Sequence, residues 1–534
     1  MNEEYKTASA VFEKYGLGEI TGPVEPVSGG LMHKMYKVQT SSGTYALKCL
    51  NPEIMKRPGA LANFAAAEDL ERVLEEQGLP IVPALSFDGK KMLLLDGRYF
   101  YIYNWQEGRI TDPRAITKEQ CFTAGEILGR IHRIDSHNVE PEEPEIAAVD
   151  FSSYLKKAEE KNSPIAPYLK DNLELLEKAQ EALNFAICGL PPMRAINNGD
   201  MDPKNIMWHN GKPHVIDLEC LSRGNPIATC LDLALQWSGT TELDFKSENL
   251  KAFFDGYLNA YDNGFRSYED LYGIAYSWVA WLEYNILRAL GIASAREEEI
   301  RLGEAEVRNT IGRIKYLHEI EGEVKKVLED LPAPDPKCFS THDDRLCYID
   351  LVFEGGLSDI PEYPLPQGYR FVNYRPGDKD AWIDIELSSG EVLSKEHGEE
   401  CWARYYGSRE EELPKRMFFI ENDEGEKIGT ATAFYDIHRE PDPGEGQLHW
   451  VAIKKDAQGK GLSKPLITFV LNAMKDLGYK RTKIHTQTNT WLACKVYSDL
   501  GFQPEKESLL KHRAGWKMVG LLTGKHFFEQ SAVK

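Results

Sequence analysis

The chain has 534 residues, which is too many for one ordinary hydrophobic core, so its length predicts two or three domains. Its formal net charge of −21 argues against unaided binding to nucleic acid and favours a cationic substrate. The nine cysteines form no CxxC pairs, so we expect no structural zinc site and no disulfide framework. No run of about 18 apolar residues exists, so we expect no membrane span. Together these features predict a cytoplasmic protein.

The first 106 residues predict a small, β-rich lobe with one helix. The predicted elements are a glycine turn, a strand, a helix and a β-hairpin, at residues 28–30, 44–50, 61–77 and 92–105. The hairpin is expected to turn at Asp96-Gly97, because two-residue hairpin loops favour this dipeptide.

Residues 107–331 predict a second, mainly helical lobe. Amphipathic patterns indicate helices at residues 121–134, 154–186, 231–238, 247–263, 271–290 and 297–331. Between the second and third of these helices, two short apolar segments flank a glycine-containing turn and predict a β-hairpin.

This second hairpin carries the most informative motif of the chain, Asn197–Asp217. Asp200 precedes Asn205 by five residues, and Asp217 follows the second arm of the hairpin. Phosphoryl transfer needs a carboxylate near the attacking hydroxyl group, with amide and carboxylate oxygens that hold Mg²⁺ on the nucleotide phosphates. A hairpin with Asn205 on one arm and Asp217 at the end of the other would bring two metal ligands together. The motif therefore predicts a phosphotransferase site.

Lys48, in the middle of a predicted strand, is the candidate ligand for the nucleotide phosphates. It needs a carboxylate to hold it in place, and the next helix offers Glu68 or, one turn later, Glu71. A glycine turn lets backbone N–H groups approach phosphates, and a segment between two lobes can present backbone groups to a purine. The remaining nucleotide-binding candidates are therefore Ser28, Gly29, Gly30, Tyr103 and Trp105.

In motif order and spacing, residues 1–330 resemble the aminoglycoside phosphotransferase and choline kinase family, whose lobes share the protein-kinase architecture. The family motif is His-Gly-Asp, four residues, Asn, and then a strand that ends in Ile-Asp; here it is Asn198-Gly199-Asp200, Asn205 and Ile216-Asp217. The resemblance implies ATP or GTP as phosphate donor. It also implies a set of roles: Asp200 orients or deprotonates the acceptor hydroxyl, Asn205 and Asp217 bind Mg²⁺, Lys48 clamps phosphate, and Asp232 is a structural carboxylate.

One position departs from the family motif, because Asn198 stands where the family has His. That His braces the loop and is not the proton acceptor, and an Asn amide can partly copy its hydrogen bonds. We therefore expect an active kinase and not a pseudokinase.

The acceptor of the phosphoryl group stays open. Family members phosphorylate aminoglycosides, choline, homoserine, methylthioribose and other small hydroxyl compounds. Trp281 and Glu283, on a late helix, are candidates for lining an acceptor pocket, and structural packing is the alternative role for Trp281.

Three prolines within residues 331–337 cannot continue a helix, so we predict a linker at residues 332–344. Residues 345–534 then predict a separate domain with a mixed central sheet. Its strands are expected at residues 347–353, 369–374, 416–421, 427–436 and 447–453, with strand–helix units at 447–477 and 483–500.

Glycines at the junction of the strand 447–453 and its helix would let backbone N–H groups bind a pyrophosphate. The junction is not a P-loop, because the four-residue gap and the Gly-Lys-Ser/Thr ending are missing. Further on, Asn489 is expected to cap the next helix, which carries Tyr497.

About residues 345–525 resemble the GNAT acetyltransferase family. The acetyl-CoA loop of the family, Gln/Arg-x-x-Gly-x-Gly/Ala, is matched at Gln458, Gly461 and Ser463, with Ser as a mild departure. The later family pattern is matched at Asn489, Ala493, Tyr497, Gly501 and Phe502. The resemblance implies that acetyl-CoA is bound by Val451, Ile453, Gln458, Gly459, Gly461, Ser463 and Asn489. It also implies that Tyr497 donates a proton to the leaving thiolate.

The base that deprotonates the amine is not identified, and Glu445 and His449 are the candidates. Cys494 has no His partner in the pattern, so we expect direct transfer in a ternary complex and no acyl-cysteine.

The fold class predicted is therefore an α+β multidomain protein, a protein-kinase-like bilobal domain followed by a GNAT domain. The predicted function is that of an O-phosphotransferase and an acetyl-CoA-dependent N-acetyltransferase acting on small molecules with hydroxyl and amine groups. One alternative is a metabolite kinase fused to an unrelated acetyltransferase, and another makes one half a regulatory module without turnover. The sequence leaves the oligomeric state open.

Overall fold

A computed structural model describes residues 3–27, 33–134, 145–293, 295–438 and 442–528. The chain divides into two units, one of residues 1–263 and 267–331 and the other of residues 264–266 and 332–534. The main boundary lies where the proline-rich segment begins. In the described part of the chain, no helix combines the length and the apolar character needed to cross a bilayer.

The first part of unit 1 is built around a five-stranded antiparallel sheet in the order β1-β2-β3-β5-β4. Its elements are α1 (Glu3–Lys14), β1 (Ile20–Val27), β2 (Lys34–Thr40), β3 (Gly43–Cys49), α2 (Pro52–Met55), α3 (Ala60–Glu76), β4 (Leu93–Leu95) and β5 (Arg98–Asn104). Because neighbours along a strand point to opposite faces, Leu47 packs in the cluster of Phe12 in α1, whereas Lys48 shares the other face with Tyr101.

The second part of unit 1 is mainly helical. Its elements are β6 (Arg109–Ile110), α4 (Lys118–Arg133), α5 (Phe151–Glu160), α6 (Ala166–Cys188), β7 (Ala195–Asn198), β8 (Ile206–His209), β9 (Lys212–Val215), β10 (Leu221–Gly224), α7 (Pro226–Trp237), α8 (Ser247–Ala260), α9 (Trp278–Ala289) and α10 (Glu297–Glu329). The predicted hairpin is the β8–β9 pair, with Ile206 opposite Val215.

Two predicted helices of unit 1 differ from the observed ones. The single helix expected at residues 154–186 is two helices, α5 and α6, because Asn162 has a left-handed backbone (φ +50°) and Pro164 follows it. The helix expected at residues 271–290 is a 3₁₀ segment, Tyr268–Ser277, that continues into α9.

Unit 2 contains one seven-stranded mixed sheet in the order β12-β13-β14-β15-β16-β11-β17, with β15 and β16 parallel and the other neighbours antiparallel. Its elements are β11 (Asp350–Gly356), β12 (Tyr369–Asn373), α11 (Lys379–Ser389), α12 (Lys395–Trp402), α13 (Leu413–Arg416), β13 (Met417–Asn422), β14 (Lys427–Phe434), β15 (Glu445–Ile453), α14 (Ser463–Asp476), β16 (Arg481–Gln487), α15 (Trp491–Asp499), β17 (Gln503–Pro504), α16 (Lys506–Lys511) and α17 (Arg513–Thr523).

The two faces of this sheet carry different helices. Phe371 and Phe418 pack on Phe469 of α14, with ring centroids 4.0 and 5.2 Å apart. Met417 and Phe419, which alternate with Phe418, belong to a core cluster that α11 also lines. The sheet therefore has α14 on one face and α11 on the other.

Two helices of unit 1, α4 and α8, approach closely through glycines. A Cβ atom at Gly125 would lie 2.0 Å from the carbonyl oxygen of Phe253, and one at Gly256 would lie 2.0 Å from that of Phe122. Backbone atoms block both positions, so no side-chain rearrangement can make room for a methyl group.

We expect Gly125→Ala to destabilise unit 1 by roughly 2–3 kcal/mol, because the added methyl group forces the two helices apart. Gly312→Ala is the matched control, since Gly312 lies within α10 and a Cβ there meets no atom within 4 Å. The control should stabilise by about 0.5–1 kcal/mol. Thermal unfolding followed by circular dichroism measures both, and equal stability of the two variants would contradict the packing.

Candidate active sites

Lys48 is the centre of the first candidate site. Its ammonium group is buried, with 5% of the side chain exposed, and its Nζ lies 2.7 Å from Asp217 Oδ1 and 2.8 Å from Glu219 Oε1. Burial acts to lower the pKa of Lys48, but the carboxylates of Glu219 and Asp217 outweigh it and raise that pKa. Lys48 is therefore a fixed positive charge at the end of the β8–β9 hairpin.

The hairpin brings Asn205 and Asp217 together, as the motif predicts. Asn205 immediately precedes β8, and its carbonyl oxygen accepts a hydrogen bond of 2.9 Å from the N–H of Ile216. Asp217 has a left-handed backbone (φ +60°), a conformation that is costly for a residue with a side chain and is concentrated at functional sites. The Asp217 side chain is 39% exposed, so its carboxylate is open to a ligand.

The donor set near the hairpin fits Mg²⁺. The Asn205 amide nitrogen donates to the carbonyl oxygen of Asp200 (2.7 Å), so its other end, Oδ1, is available as an oxygen ligand. Among the described residues, no group of three or more His, Cys, Asp or Glu side chains surrounds a common position. One amide and one carboxylate oxygen suit a cation whose remaining ligands are phosphate oxygens and water.

Asp200 lies in the turn after β7, and its side chain is 35% exposed. Lys204 lies beside it, with Nζ 3.3 Å from Asp200 Oδ1 and 2.7 Å from Asp202 Oδ2. Burial raises the pKa of Asp200, and Lys204 acts in the opposite direction. A carboxylate with a raised pKa next to a cation is suited to accept a proton from a hydroxyl group.

Asn198 is fully buried, and its Oδ1 accepts a hydrogen bond of 3.3 Å from the N–H of Asp200. This contact braces the turn that carries Asp200, which is the role expected of the family's His at this position. The Asn198 amide nitrogen has no hydrogen-bond partner among the described residues. The Asn198 side chain thus holds the turn through its oxygen, and its amide nitrogen makes no hydrogen bond with the described residues.

The structure contradicts the predicted pairing of Lys48 with Glu68 or Glu71. Glu68 accepts hydrogen bonds from Tyr101 Oη and Met92 N, both at 2.9 Å. Glu71 accepts from Lys91 Nζ and Ala84 N, both at 2.7 Å. The two carboxylates instead hold α3 to the segments that surround β5.

Sequence reasoning missed Glu219 and His33. His33 Nδ1 accepts from the N–H of Asn51 (3.0 Å), so its Nε2 is the protonated nitrogen, and it lies 3.3 Å from Glu219 Oε2. His33 and Lys48 together lower the pKa of Glu219 against the opposing effect of burial. The available signal was the carboxylate two residues after Asp217.

The other nucleotide-binding candidates either lie outside the described residues or make contacts within the protein. Ser28, Gly29 and Gly30 lie outside the described residues. Tyr103 is buried beside Tyr101. The N–H of Trp105 donates to the carbonyl oxygen of Thr44 (3.0 Å), so this group is not offered to a purine.

The acceptor-side candidates of unit 1 have structural contacts. Trp281 Nε1 donates to Glu306 (3.3 Å), and Glu283 accepts from Tyr154 Oη (2.8 Å). Asp232 accepts from Ser277 (3.0 Å) and Gln236 (2.9 Å), and burial raises its pKa to about 6. The environment of Asp232 is that of a structural carboxylate.

In unit 2, the second candidate site lies where β15 and β16 separate. The two strands pair at Glu445–Gln447 and Arg481–Lys483; beyond this, β15 continues along β14 and β16 along β11. A β-bulge follows on β15, where Trp450 has φ +47°. The result is an opening between two parallel strands.

The loop after β15 fits a pyrophosphate. Gly459 and Gly461 have φ values of +75° and +76°, and a Cβ at either position would meet no atom within 4 Å. The N-terminus of α14, which begins at Ser463, has no side-chain cap, so its first N–H groups are free to bind an anion. Gln458 is exposed and bonds to the carbonyl oxygen of Ile453 (3.0 Å), and Val451 and Ile453 are half-buried on β15.

Asn489 is not the cap of α15, contrary to the prediction. It lies in a 3₁₀ turn, Thr488–Thr490, and the residue that precedes the helix is Thr490. Asn489 Oδ1 is buried with no hydrogen-bond partner among the described residues. An unpaired buried acceptor at the end of β16 suits an N–H donor of a ligand.

Tyr497 lies on α15, is buried, and packs on Phe353 with ring centroids 5.8 Å apart. Burial raises its pKa, so the hydroxyl group stays protonated at neutral pH. Cys494 is buried on the same helix, and burial raises its pKa to about 12. A thiol of this kind is a poor nucleophile.

Neither base candidate is well placed to accept a proton. Glu445 accepts from Arg481 Nε (2.7 Å), which fixes it as a charge partner. Burial lowers the pKa of His449 to about 3, so its imidazole is a weak base at neutral pH.

Comparisons with known proteins agree with both resemblances. Residues 23–271 match the phosphotransferase enzyme family, and residues 380–502 match the acetyltransferase (GNAT) family. These matches confirm the predicted fold class, a kinase-like domain followed by a GNAT domain.

Curated relatives cover only part of the chain. The mycothiol acetyltransferases of Pseudarthrobacter chlorophenolicus and Streptomyces coelicolor are each 28% identical to it, over 151 and 155 residues. The aligned segments are 27% and 28% of this chain and 46% and 48% of those proteins. The chain thus spans about half the length of these relatives.

Two solved structures are similar to portions of this chain. A spectinomycin phosphotransferase in complex with ADP and spectinomycin is 13% identical, with a TM-score of 0.44, and the match covers 61% of this chain and 98% of that one. A GCN5-related N-acetyltransferase from Sphaerobacter thermophilus is 15% identical, with a TM-score of 0.25, and the match covers 41% of this chain and 66% of that one.

The contacts of Lys48 predict different effects for two Glu variants. We expect Glu219→Gln to weaken binding of the magnesium nucleotide roughly tenfold, because Lys48 loses a charge-assisted partner. Glu68→Gln should leave nucleotide affinity within about twofold, because Glu68 holds Tyr101 and not Lys48. Isothermal titration with Mg-ATP and Mg-GTP measures both, and an equal loss in the two variants would show that Lys48 pairs with Glu68 in solution.

The Lys204–Asp200 contact predicts a pH effect. An aspartate base is active when ionised, so the rate falls as the pH drops through its pKa. Lys204→Met removes the group that opposes burial, so the acidic limb of kcat/KM for phosphoryl transfer should move to higher pH. Lys204→Arg keeps the charge and should keep the wild-type limb. Identical pH profiles for the Met variant and wild type would rule out this coupling.

Proposed function

We propose that this chain, whose residues 23–271 belong to the phosphotransferase enzyme family and whose residues 380–502 belong to the GNAT acetyltransferase family, is a bifunctional small-molecule transferase. Unit 1 phosphorylates a hydroxyl group at the expense of ATP or GTP, and unit 2 acetylates an amino group at the expense of acetyl-CoA. The observation that carries the proposal is the β8–β9 hairpin, which brings Asn205 and Asp217 together beside the buried Lys48.

In unit 1, the chain supplies position and charge for phosphoryl transfer. Lys48 binds phosphate oxygens of the nucleotide, and Asn205 and Asp217 hold Mg²⁺. When bound, Mg²⁺ neutralises the charge that develops on the phosphate oxygens. Asp200 orients the acceptor hydroxyl and takes its proton as the oxygen attacks the γ-phosphorus, and the bond to the leaving nucleoside diphosphate breaks.

In unit 2, the bulged strand β15 and the glycine loop bind acetyl-CoA, with the pyrophosphate at the N-terminus of α14. The lone pair of the neutral amine attacks the thioester carbonyl carbon, the C–S bond breaks, and the nitrogen releases one proton to water. Tyr497 gives its hydroxyl proton to the leaving thiolate, a role that its raised pKa supports, because the group is protonated at neutral pH. Transfer is direct, since the buried Cys494 thiol is not ionised.

The acceptors we propose are small molecules that carry both hydroxyl and amine groups, such as aminoglycosides, amino sugars and amino alcohols. The net charge of −21 supports a cationic acceptor, because an acidic protein attracts cations in solution. Two modifying activities on one chain also favour a shared class of substrate.

A mass-spectrometric screen of aminoglycosides, amino sugars and amino alcohols with ATP, GTP and acetyl-CoA tests the proposal. We expect products that carry one phosphate or one acetyl group. Asp200→Asn should lower phosphorylation roughly 10²- to 10⁴-fold and leave acetylation intact, and Tyr497→Phe should do the reverse.

Each variant serves as the control for the other, because each lies in a different unit. Donor consumption that stays at background with every acceptor, and that neither variant changes, would reject turnover and favour a regulatory module.

A further inference from the structure

A buried polar cluster lies on the α11 face of the sheet in unit 2. Thr430 and Thr432 lie on that face, because they pair with Phe419 and Met417 of its core cluster. His449 lies opposite Thr432 on β15, and its ring centroid is 6.4 Å from that of Tyr406.

Glu386, on α11, is the carboxyl group of this cluster, and it acts electrostatically on Tyr406. Burial raises the pKa of Glu386 well above its usual range. Its side chain is fully buried, and neither carboxylate oxygen has a hydrogen-bond partner among the described residues. The one charged group that acts on it, within the part of the chain the structure describes, is another carboxylate, that of Glu391. Burying a carboxyl group without partners costs several kcal/mol, so folding alone gives no reason for this residue.

His449 adds a third unpaired acceptor. Its Nε2 lies 2.6 Å from Gln447 Oε1, an acceptor, so Nε2 carries the proton. Nδ1 is then an acceptor, and it is buried with no partner among the described residues. Glu386, when ionised, and His449 therefore present three acceptor atoms, and the described residues provide them with no donor.

Two irregularities of the backbone lie near these acceptors. A π-helical turn, Ala403–Gly407, carries Tyr406 and replaces the regular end of α12. The β15 bulge puts Trp450 in a left-handed conformation next to His449. Both π-turns and bulges are enriched at functional sites, where they re-aim side chains.

We propose that Glu386, His449 and the hydroxyl group of Tyr406 form the subsite that binds the amino group of the acetyl acceptor. An ammonium group has three N–H donors, which matches the three unpaired acceptors. Its positive charge favours the ionised form of Glu386, against the burial that raises the pKa of this group in the protein alone. The identification of the ligand as the acetyl acceptor rests on the proposed acetyltransferase function of unit 2.

The neighbouring carboxylate links this subsite to the proposed acid. Glu391 acts electrostatically on both Glu386 and Tyr497, and it is held by His342 (3.2 Å) and Gln487 (3.4 Å). Glu391 thus has partners of its own, in contrast to Glu386, and is the matched control.

Methylammonium, the smallest primary ammonium ion, is the probe. Hydrogen–deuterium exchange of the full chain, followed by mass spectrometry, reports on the α11 peptide with and without it. We expect exchange to slow at least about threefold in saturating methylammonium, compared with sodium at the same ionic strength. The same slowing should appear in Glu391→Gln and disappear in Glu386→Gln.

The wild-type comparison decides the proposal without any variant. Equal exchange of α11 in methylammonium and in sodium would overturn it, and so would protection that persists in Glu386→Gln. A structural role for Glu386 would instead make the Gln variant exchange faster in both salts, with methylammonium protection absent from wild type.

A kinetic arm separates this inference from the proposed function. With any amine that the product screen identifies, Glu386→Gln should raise the acceptor KM at least about tenfold and leave the acetyl-CoA KM within about twofold. A screen without acetylated products would reject the acetyltransferase activity, whereas the exchange experiment would still accept or reject the ammonium subsite.

Discussion

The buried ammonium group of Lys48 is the interaction on which the phosphotransferase site depends. A lysine that is 5% exposed is tolerated only with close partners, and both of its carboxylates come from the segment that follows the β8–β9 hairpin. The ion pairs therefore join strand β3 to the end of the hairpin that carries Asn205 and Asp217. One ammonium faces two carboxylates, so the pair leaves negative charge at Asp217, the side chain that opens to solvent. A divalent cation is the natural counter-ion for that charge.

The parts of this site that sequence predicts are those set by local structure. Asp200, Asn205 and Asp217 lie within one turn and one hairpin, so their order and the hairpin pattern are enough to bring Asn205 and Asp217 together. The partner of Lys48 could not be predicted in this way, because Lys48 and Asp217 are 169 positions apart in the sequence. Several carboxylates could pair with Lys48 over such a distance in sequence. Only the packing of α3 shows that Glu68 instead bonds to Tyr101 and that Glu71 bonds to Lys91.

The predicted element boundaries differ from the observed ones where two local preferences compete. Hydrophobic periodicity continues across residues 154–186, yet the chain breaks there because Pro164 disfavours a helical conformation at the residue before it. Asn489 has a side chain suited to a helix cap, but Thr490 bonds to the end of β16 and starts the helix one residue later. In unit 2 the sequence therefore predicts the glycine loop and the positions of the core strands, and not the cap.

Asp232 and Glu386 show why the hydrogen-bond partners of a carboxyl group matter when its role is interpreted. Asp232 accepts hydrogen bonds from Ser277 and Gln236, and its neighbours account for its burial. Glu386 is more deeply buried, with 0% exposed, and its carboxylate oxygens have no hydrogen-bond donor among the described residues. It acts electrostatically on Tyr406, whose ring lies 6.4 Å from that of His449, which carries another unpaired acceptor. Sequence periodicity treats both as polar residues on an amphipathic helix, because it does not record which donors face them. The two residues differ in their hydrogen-bond partners, and the unpaired acceptors of Glu386 are the reason to propose an N–H donor as its ligand.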